Sequence, residues 1–266
     1  MNRRAESGQK PDRRKRRGRL EDERPLLPRS GSRSREVRVV YVACEGESTE
    51  PDYLQYLNEQ FGDGDGAARQ PFRIQPVCRK NGMTPSGVVA AVQEAAAEDE
   101  AWALFDRDQW IDIPAAVKAA ADSRIEFALS HPSFDLWLLL HFQAFSGRQS
   151  GSSKIVIEKL RQASEAFTDY DKRGDKSIRV TRRDALRGRE NIAITNARSL
   201  VNCCAHGSCA SKRATAETIS DQADPVTPEE WSARSGHAAD CPILLRDPST
   251  DVWRLLTALG ITVDRA

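Results

Sequence analysis

The chain has 266 residues, 39% of them hydrophobic and 30% charged, with a net charge of +1. That composition can support a packed core in one large or two small domains, and no apolar run approaches the roughly 18 residues that a membrane-spanning helix needs. Six unevenly placed Cys are too few for a secreted disulfide scaffold of this length, and the Arg-rich opening leads into more charge rather than into the apolar stretch of a signal peptide, so a cytoplasmic protein is expected.

Charge is unevenly distributed. Residues 1–36 hold 13 Lys/Arg against 6 Asp/Glu, whereas the rest of the chain holds 27 against 33. The opening stretch is rich in Arg, Ser, Pro and Gly and poor in aromatic and β-branched residues, so it cannot bury enough apolar surface to fold alone. A basic disordered tail is expected over 1–36. Its densest point, Arg13-Arg14-Lys15-Arg16-Arg17, also suits an arm that contacts nucleic-acid phosphates, and the two readings are compatible.

From residue 37 onward strand-like and helix-like segments alternate. Val37 to Cys44 is a β-branched apolar run of the kind buried on both faces of a parallel sheet. Thr49-Glu50-Pro51-Asp52 offers an N-cap, a first-turn proline and an acid three residues after the cap, predicting a helix over about 50–60 with Tyr53, Leu54, Tyr56 and Leu57 inward. Phe72 to Cys78 reads as a second strand, and Thr84-Pro85 opens an Ala/Val-rich helix to about residue 98. Ala101 to Phe105 is a third strand, Pro114 to Asp122 a shorter helix and Ile125 to Leu129 a fourth strand. Phe134 to Phe142 is apolar nearly all round, which predicts a buried helix containing Trp137 and His141. Strands spaced by helices argue for βαβ units, so residues 37–146 read as a four-stranded, mostly parallel α/β domain flanked by helices.

Residues 147–266 read as a helical C-terminal extension. A Gly/Ser-rich linker over 147–153 precedes helices over 153–168 and roughly 184–203. The basic stretch Lys172, Arg173, Lys176, Arg179, Arg182, Arg183, Arg187 and Arg189 lies around their junction. Between 203 and 241 the pattern dissolves into small and polar residues. Pro248-Ser249-Thr250 then caps a last amphipathic helix carrying Val252, Trp253, Leu255, Leu256 and Leu259.

The chemistry-bearing residues sit at strand ends. Glu45-Gly46 closes the first strand and Asp106-Arg107-Asp108 closes the third. In an open parallel sheet that edge is where ligands bind, and carboxylates converging there make an oxygen-rich site for Mg²⁺ or Mn²⁺. Asp106 and Asp108, two apart, can share one cation or bracket a pair about 3.5–4 Å apart, as phosphodiester cleavage in two-metal sites requires. Glu45 can serve as general acid or base or as a further ligand, Gly46 leaves room for a close backbone approach, and Glu47 and Glu50 lie near enough to assist.

These segments resemble a known family. An apolar strand ending in Glu-Gly followed by one ending in Asp-x-Asp is the signature of the Toprim domain, found in topoisomerases, primases and OLD-family nucleases. More closely, Val42-Ala43-Cys44-Glu45-Gly46-Glu47-Ser48-Thr49-Glu50-Pro51-Asp52-Tyr53, Phe105-Asp106-Arg107-Asp108 and His131-Pro132-Ser133-Phe134-Asp135-Leu136-Trp137-Leu138-Leu139-Leu140-His141-Phe142 resemble the three motifs of the RloB-like family. The Arg-rich lead-in and the closing Asp247-Pro248-Ser249-Thr250 also fit. The resemblance implies a Toprim-fold, Mg²⁺-dependent nuclease of bacterial restriction or anti-phage loci, often beside an AAA-type ATPase. Glu45 would then be the catalytic acid/base and Asp106 and Asp108 metal ligands. Asp135 stands where the family pattern has Glu, one methylene longer, and is either a fourth metal ligand or a first-turn acid that favours the helix dipole.

The remaining candidates divide between chemistry and packing. His131 stands at the fourth strand end and is either a packing residue or a side chain that approaches a phosphate, whereas His141 and Trp137 belong to the core. His206-x-x-Cys209 and His237-x-x-x-Cys241, with Cys203 and Cys204 close by, have ligand spacings for tetrahedral Zn²⁺, but the lack of a clean C-x-x-C pair favours a mobile loop. Arg182 and Arg183 lead the second basic stretch as candidate contacts to a nucleic-acid backbone. The expected function is a metal-dependent nuclease acting on RNA, including tRNA, or on DNA. The rivals are a non-catalytic nucleic-acid-binding or regulatory partner of an AAA-type ATPase, and a primase-like nucleotidyltransferase.

Overall fold

The computed structural model describes residues 37–65, 69–108, 110–150, 152–215 and 227–261. Four parallel strands form the middle of the molecule: β1 (Arg38–Cys44), β2 (Phe72–Val77), β3 (Glu100–Asp106) and β4 (Glu126–His131). A fifth, β5 (Ser249–Thr250), pairs antiparallel with β4, and the order across the sheet is β2-β1-β3-β4-β5. The expected four strands are thus five. Two residues are too few to show a period of two. The pairing of Thr250 with Ser130, reinforced by their hydroxyls 2.9 Å apart, is a long-range contact that no local pattern encodes.

The strands alternate their side chains between two cores, one on each face. Val40, Val42, Cys44, Trp102, Leu104 and Ala128 face the first, where they meet α1 (Thr49–Phe61), α4 (Phe134–Leu140), α5 (Lys154–Ala163), α7 (Glu190–Leu200) and α9 (Val252–Ala258). Ala43, Ala103, Phe105, Phe127 and Leu129 face the second, covered by α2 (Pro85–Ala96), α3 (Ile113–Asp122) and Trp231 of α8 (Pro228–Ala233). A parallel strand buried on both faces cannot afford polar alternation, which is why β1, β3 and β4 read as continuous apolar runs. β2 lies at the edge and does alternate, with Phe72 and Ile74 inward. All seven residues of α4 are buried, as its composition required.

Several boundaries differ from the sequence reading for local reasons. Thr49 is the first residue of α1 rather than its cap, because its hydroxyl donates to the Lys176 carbonyl at 3.1 Å. Thr84 does cap α2, accepting from the Gly87 amide at 3.2 Å. The helix expected over 153–168 stops at Ala163, where Ser164 takes an extended conformation. The one expected over 184–203 is two, α6 (Val180–Leu186) and α7, separated at Gly188, whose φ of +75° ends a right-handed turn. No helix among the described residues is long and apolar enough to cross a membrane.

Candidate metal centre

The order β2-β1-β3-β4 makes β1 and β3 the strands at which the winding direction reverses. Loops leaving their carboxyl ends diverge there and leave a crevice. Glu45 and Asp106 sit on its two sides. The Glu45 amide still donates to the Leu104 carbonyl at 3.1 Å, and the Asp106 amide donates back to Glu45 Oε2 at 3.0 Å. Trp110 Nε1–H donates to Glu45 Oε1 at 2.6 Å, so both carboxylate oxygens are held. Beyond β3 the chain stays tied to β4, with the Arg107 amide on the Ser130 carbonyl at 2.7 Å and the Asp108 amide on the Pro132 carbonyl at 3.2 Å. Asp108 occupies a positive φ of 31°, an uncommon conformation that aspartate tolerates better than most residues.

Electrostatics make the crevice an acid concentration. Burial raises the Glu45 pKa above the ordinary carboxylate range, opposed by its two hydrogen bonds. Glu50 is buried, and desolvation together with the Asp135 and Glu45 charges pushes it up to about 7. Asp106 is only partly exposed; desolvation and then Glu50, Glu45 and Asp108 hold it well above the carboxylate range, against a hydrogen bond from the Phe134 amide. Asp108, the most exposed of the set, is raised by desolvation and by Asp135 and lowered by Lys176 and Arg107. Desolvation, the largest effect on all four, favours the neutral form, and their mutual repulsion adds to it. Such a set of hard oxygen donors, only partly offset by Lys176 and Arg107, fits a divalent cation. The crevice is not a closed cage: among the described residues, only a Cys/His quartet has ligand atoms all within 4.8 Å of one another. Mg²⁺ is commonly bound through one or two carboxylates and keeps several waters.

Glu50 is the residue that sequence reasoning undervalued. The spacing placed it only near enough to assist, yet the first turn of α1 points it into the crevice. A Cβ on Gly46 would stand 2.4 Å from Glu50 Oε2, so the space above that glycine belongs to the Glu50 carboxylate rather than to an incoming backbone.

Asp135 is buried at the start of α4 and accepts from Ser133 Oγ at 2.8 Å, Tyr170 OH at 2.5 Å and Lys176 Nζ at 3.0 Å. Desolvation lowers the Lys176 pKa, but the charge and hydrogen bond of Asp135, with the Asp171 and Asp106 charges, outweigh it, and the pKa ends above the ordinary value. Asp135 is thus anchored within the protein while its charge still acts on Glu50 and Asp108. Tyr170 carried no local signal, and Lys176 stood only as one cation of the basic stretch, because both reach Asp135 from about 35 to 41 residues away.

The basic candidates are scattered. Arg13, Arg14, Lys15, Arg16 and Arg17 lie outside the described residues. Arg182 is buried, donates to the Ser177 carbonyl at 2.6 Å and lies over the Tyr170 ring at 5.1 Å. Arg183 donates to Glu59 at 2.6 Å and to the Ile178 carbonyl at 2.9 Å. Lys172, Arg173, Arg179 and Arg187 are exposed. His141 is buried, 3.3 Å from the Tyr53 hydroxyl, and desolvation lowers its pKa to about 4. His131 is also buried, 3.5 Å from Asp247, and faces a cavity of about 390 Å³ that Arg107 and Arg148 share. Of the Cys and His residues read as zinc ligands, Cys209, His237 and Cys241 converge; Cys203 is exposed, and its neighbour Cys204 takes its place. His206 lies at the margin, its Nδ1 4.0 Å from Cys209 Sγ and its Nε2 3.6 Å from Asp240.

The molecule is therefore an open, mostly parallel α/β protein with a carboxylate cluster at the switch point of its sheet. A family model described as RloB-like protein matches residues 40–259, and the chain belongs to the RloB-like family. Comparison with curated proteins and with solved structures gives no match.

Proposed function

We propose that this chain is a divalent-metal-dependent nuclease with a Toprim-like domain, cleaving phosphodiester bonds of RNA, including tRNA, or of DNA in bacterial defence against phage. The observation that carries this reading is the carboxylate set at the β1/β3 switch point, where Glu45, Glu50, Asp106 and Asp108 are all shifted toward their neutral forms by burial and by one another. Lys176, whose charge acts on Glu50 and Asp108, is bonded to Asp135. Asp106 and Asp108 would hold Mg²⁺ or Mn²⁺, with Glu50 and Asp135 contributing charge around them. When bound, the cation neutralises phosphate charge and lowers the pKa of a coordinated water.

The protein's own groups do the rest. Glu45 is fixed by the Asp106 amide and by Trp110, and burial moves its pKa toward the range in which a carboxyl group can both accept and return a proton. Exposed Lys172, Arg173 and Arg179, on the segment that also supplies Lys176, would hold the nucleic-acid backbone. Membership of the RloB-like family supports this reading. The test is cleavage of RNA, tRNA and duplex DNA by the purified full chain with Mg²⁺ or Mn²⁺, beside Glu45→Gln and Asp106→Asn. Each variant should lose about 100-fold or more in rate while keeping its melting transition. Cleavage at equal rates by wild type and variants, or by none of them on any substrate, would refute it.

A further inference from the structure

The stretch from Val201 to Leu245 is held by little regular structure. Its described elements are three single turns of 3₁₀ helix and the six-residue α8. Among the described residues Trp231 is the large apolar side chain that it buries in a sheet core, with Ile243 and Leu244 partly buried against the same core. Within this stretch Cys204, Cys209, His237 and Cys241 converge, all four ligand atoms lying within 4.8 Å of one another. Cys204 Sγ is 3.7 Å from Cys241 Sγ, and Cys241 Sγ is 3.8 Å from His237 Nδ1. Zinc bonds of about 2.3 Å to sulfur and 2.0–2.1 Å to nitrogen, arranged tetrahedrally, separate ligand atoms by about 3.5–3.8 Å. A disulfide would bring the two sulfurs to about 2.05 Å.

Two further contacts suit thiolates. The Ala238 amide donates to Cys209 Sγ at 3.3 Å. The buried guanidinium of Arg246 donates to the Cys241 carbonyl at 3.2 Å, placing a positive charge beside a site that three thiolates and one Zn²⁺ would leave at −1. We propose that Cys204, Cys209, His237 and Cys241 form a closed, structural Zn²⁺ site that pins the 204–209 segment to the 237–241 segment. Four protein ligands leave no position for water or substrate, so the metal orders the chain rather than reacting. Its placement has a consequence for the cavity beside β4: Cys204 and Pro242 form part of the wall facing Arg107 and His131, so the metal fixes the cavity's shape.

Zinc content of the purified full chain tests this directly and independently of any nuclease activity. Wild type should carry one zinc per chain. Cys203→Ser, His206→Ala and Asp106→Asn should retain it, and Cys204→Ser, Cys209→Ser, His237→Ala and Cys241→Ser should lose most of it. Should those four fail to fold, Co²⁺ added to wild type stripped with a mercurial should give the visible bands of tetrahedral cobalt and a thiolate charge-transfer band. Wild type with neither zinc nor those bands overturns the site, as does equal zinc loss in Cys203→Ser and Cys204→Ser. A Cys204–Cys241 disulfide found by mass spectrometry of the native protein would overturn it too.

Discussion

Replacing Glu50 by Gln should make the metal-free protein more stable at alkaline pH. The Glu50 carboxyl is buried, and its pKa stands at about 7 in the folded chain against an ordinary value of 4.5. Below about pH 4.5 the group is protonated in both folded and unfolded chains and contributes no slope. Between 4.5 and about 7 the unfolded chain releases the proton first, so stability falls as pH rises; above about 7 the loss is complete and constant. At about 1.4 kcal/mol per pH unit, the interval corresponds to about 3 kcal/mol. Glu50→Gln keeps the shape and removes the titration. The stability difference between variant and wild type should therefore grow by about 3 kcal/mol from pH 4.5 to pH 8. Urea unfolding in the presence of a chelator measures it, as a divergence in midpoint of about 1 M for a slope of roughly 3 kcal/mol/M. Subtracting the two curves cancels the titration of most other groups. Parallel pH dependences in the two proteins would refute the claim that Glu50 is ionised at a cost in the crevice.

Three other outcomes are expected. Trp110→Phe removes a donor that favours the charged form of Glu45, so the acid limb of the cleavage profile should move to higher pH, read from rate against pH. Lys176→Met leaves Asp135 buried without its cation; because the lysine side chain is 33% exposed, urea unfolding should show a loss of about 2–3 kcal/mol, at the low end for broken buried pairs. Within the basic stretch, Arg182→Ala should lower stability by about 2 kcal/mol through its buried hydrogen bonds and ring contact, whereas Arg179→Ala should leave melting unchanged and reduce the salt slope of nucleic-acid binding by about 1.

The sheet and the acids at its edge were legible because both arise from local pattern. Burial on two faces keeps the middles of β1, β3 and β4 apolar, and Glu45 and Asp106 stand where β1 and β3 stop. What escaped depends on partners distant in the chain. Glu50 could be placed in the first turn of α1, but not the charges of Asp135 and Lys176 that act on it. Asp135 could be placed on α4, but not its bond to Tyr170. Cys203 and Cys204 are adjacent, and only the direction of the last 3₁₀ turn after α7 decides which one points inward. Arg182 and Arg183 looked equivalent in a run of cations, yet one is buried against Tyr170 and the other meets Glu59.

The late strand β5 also sets an order of assembly. It joins the sheet beside β4, although residues 131 and 249 are separated by more than a hundred positions, and α9 immediately after it completes the core in which Trp102 and Leu104 are buried. At roughly 5–20 residues per second, a ribosome needs on the order of ten seconds to pass from β4 to β5. During that interval the edge of β4 is unpaired and the face that buries Trp102 and Leu104 lacks α9. The crevice between β1 and β3 therefore gains its full support only after β5 and α9 have emerged, and a nascent fragment that stops short of them cannot acquire the finished site.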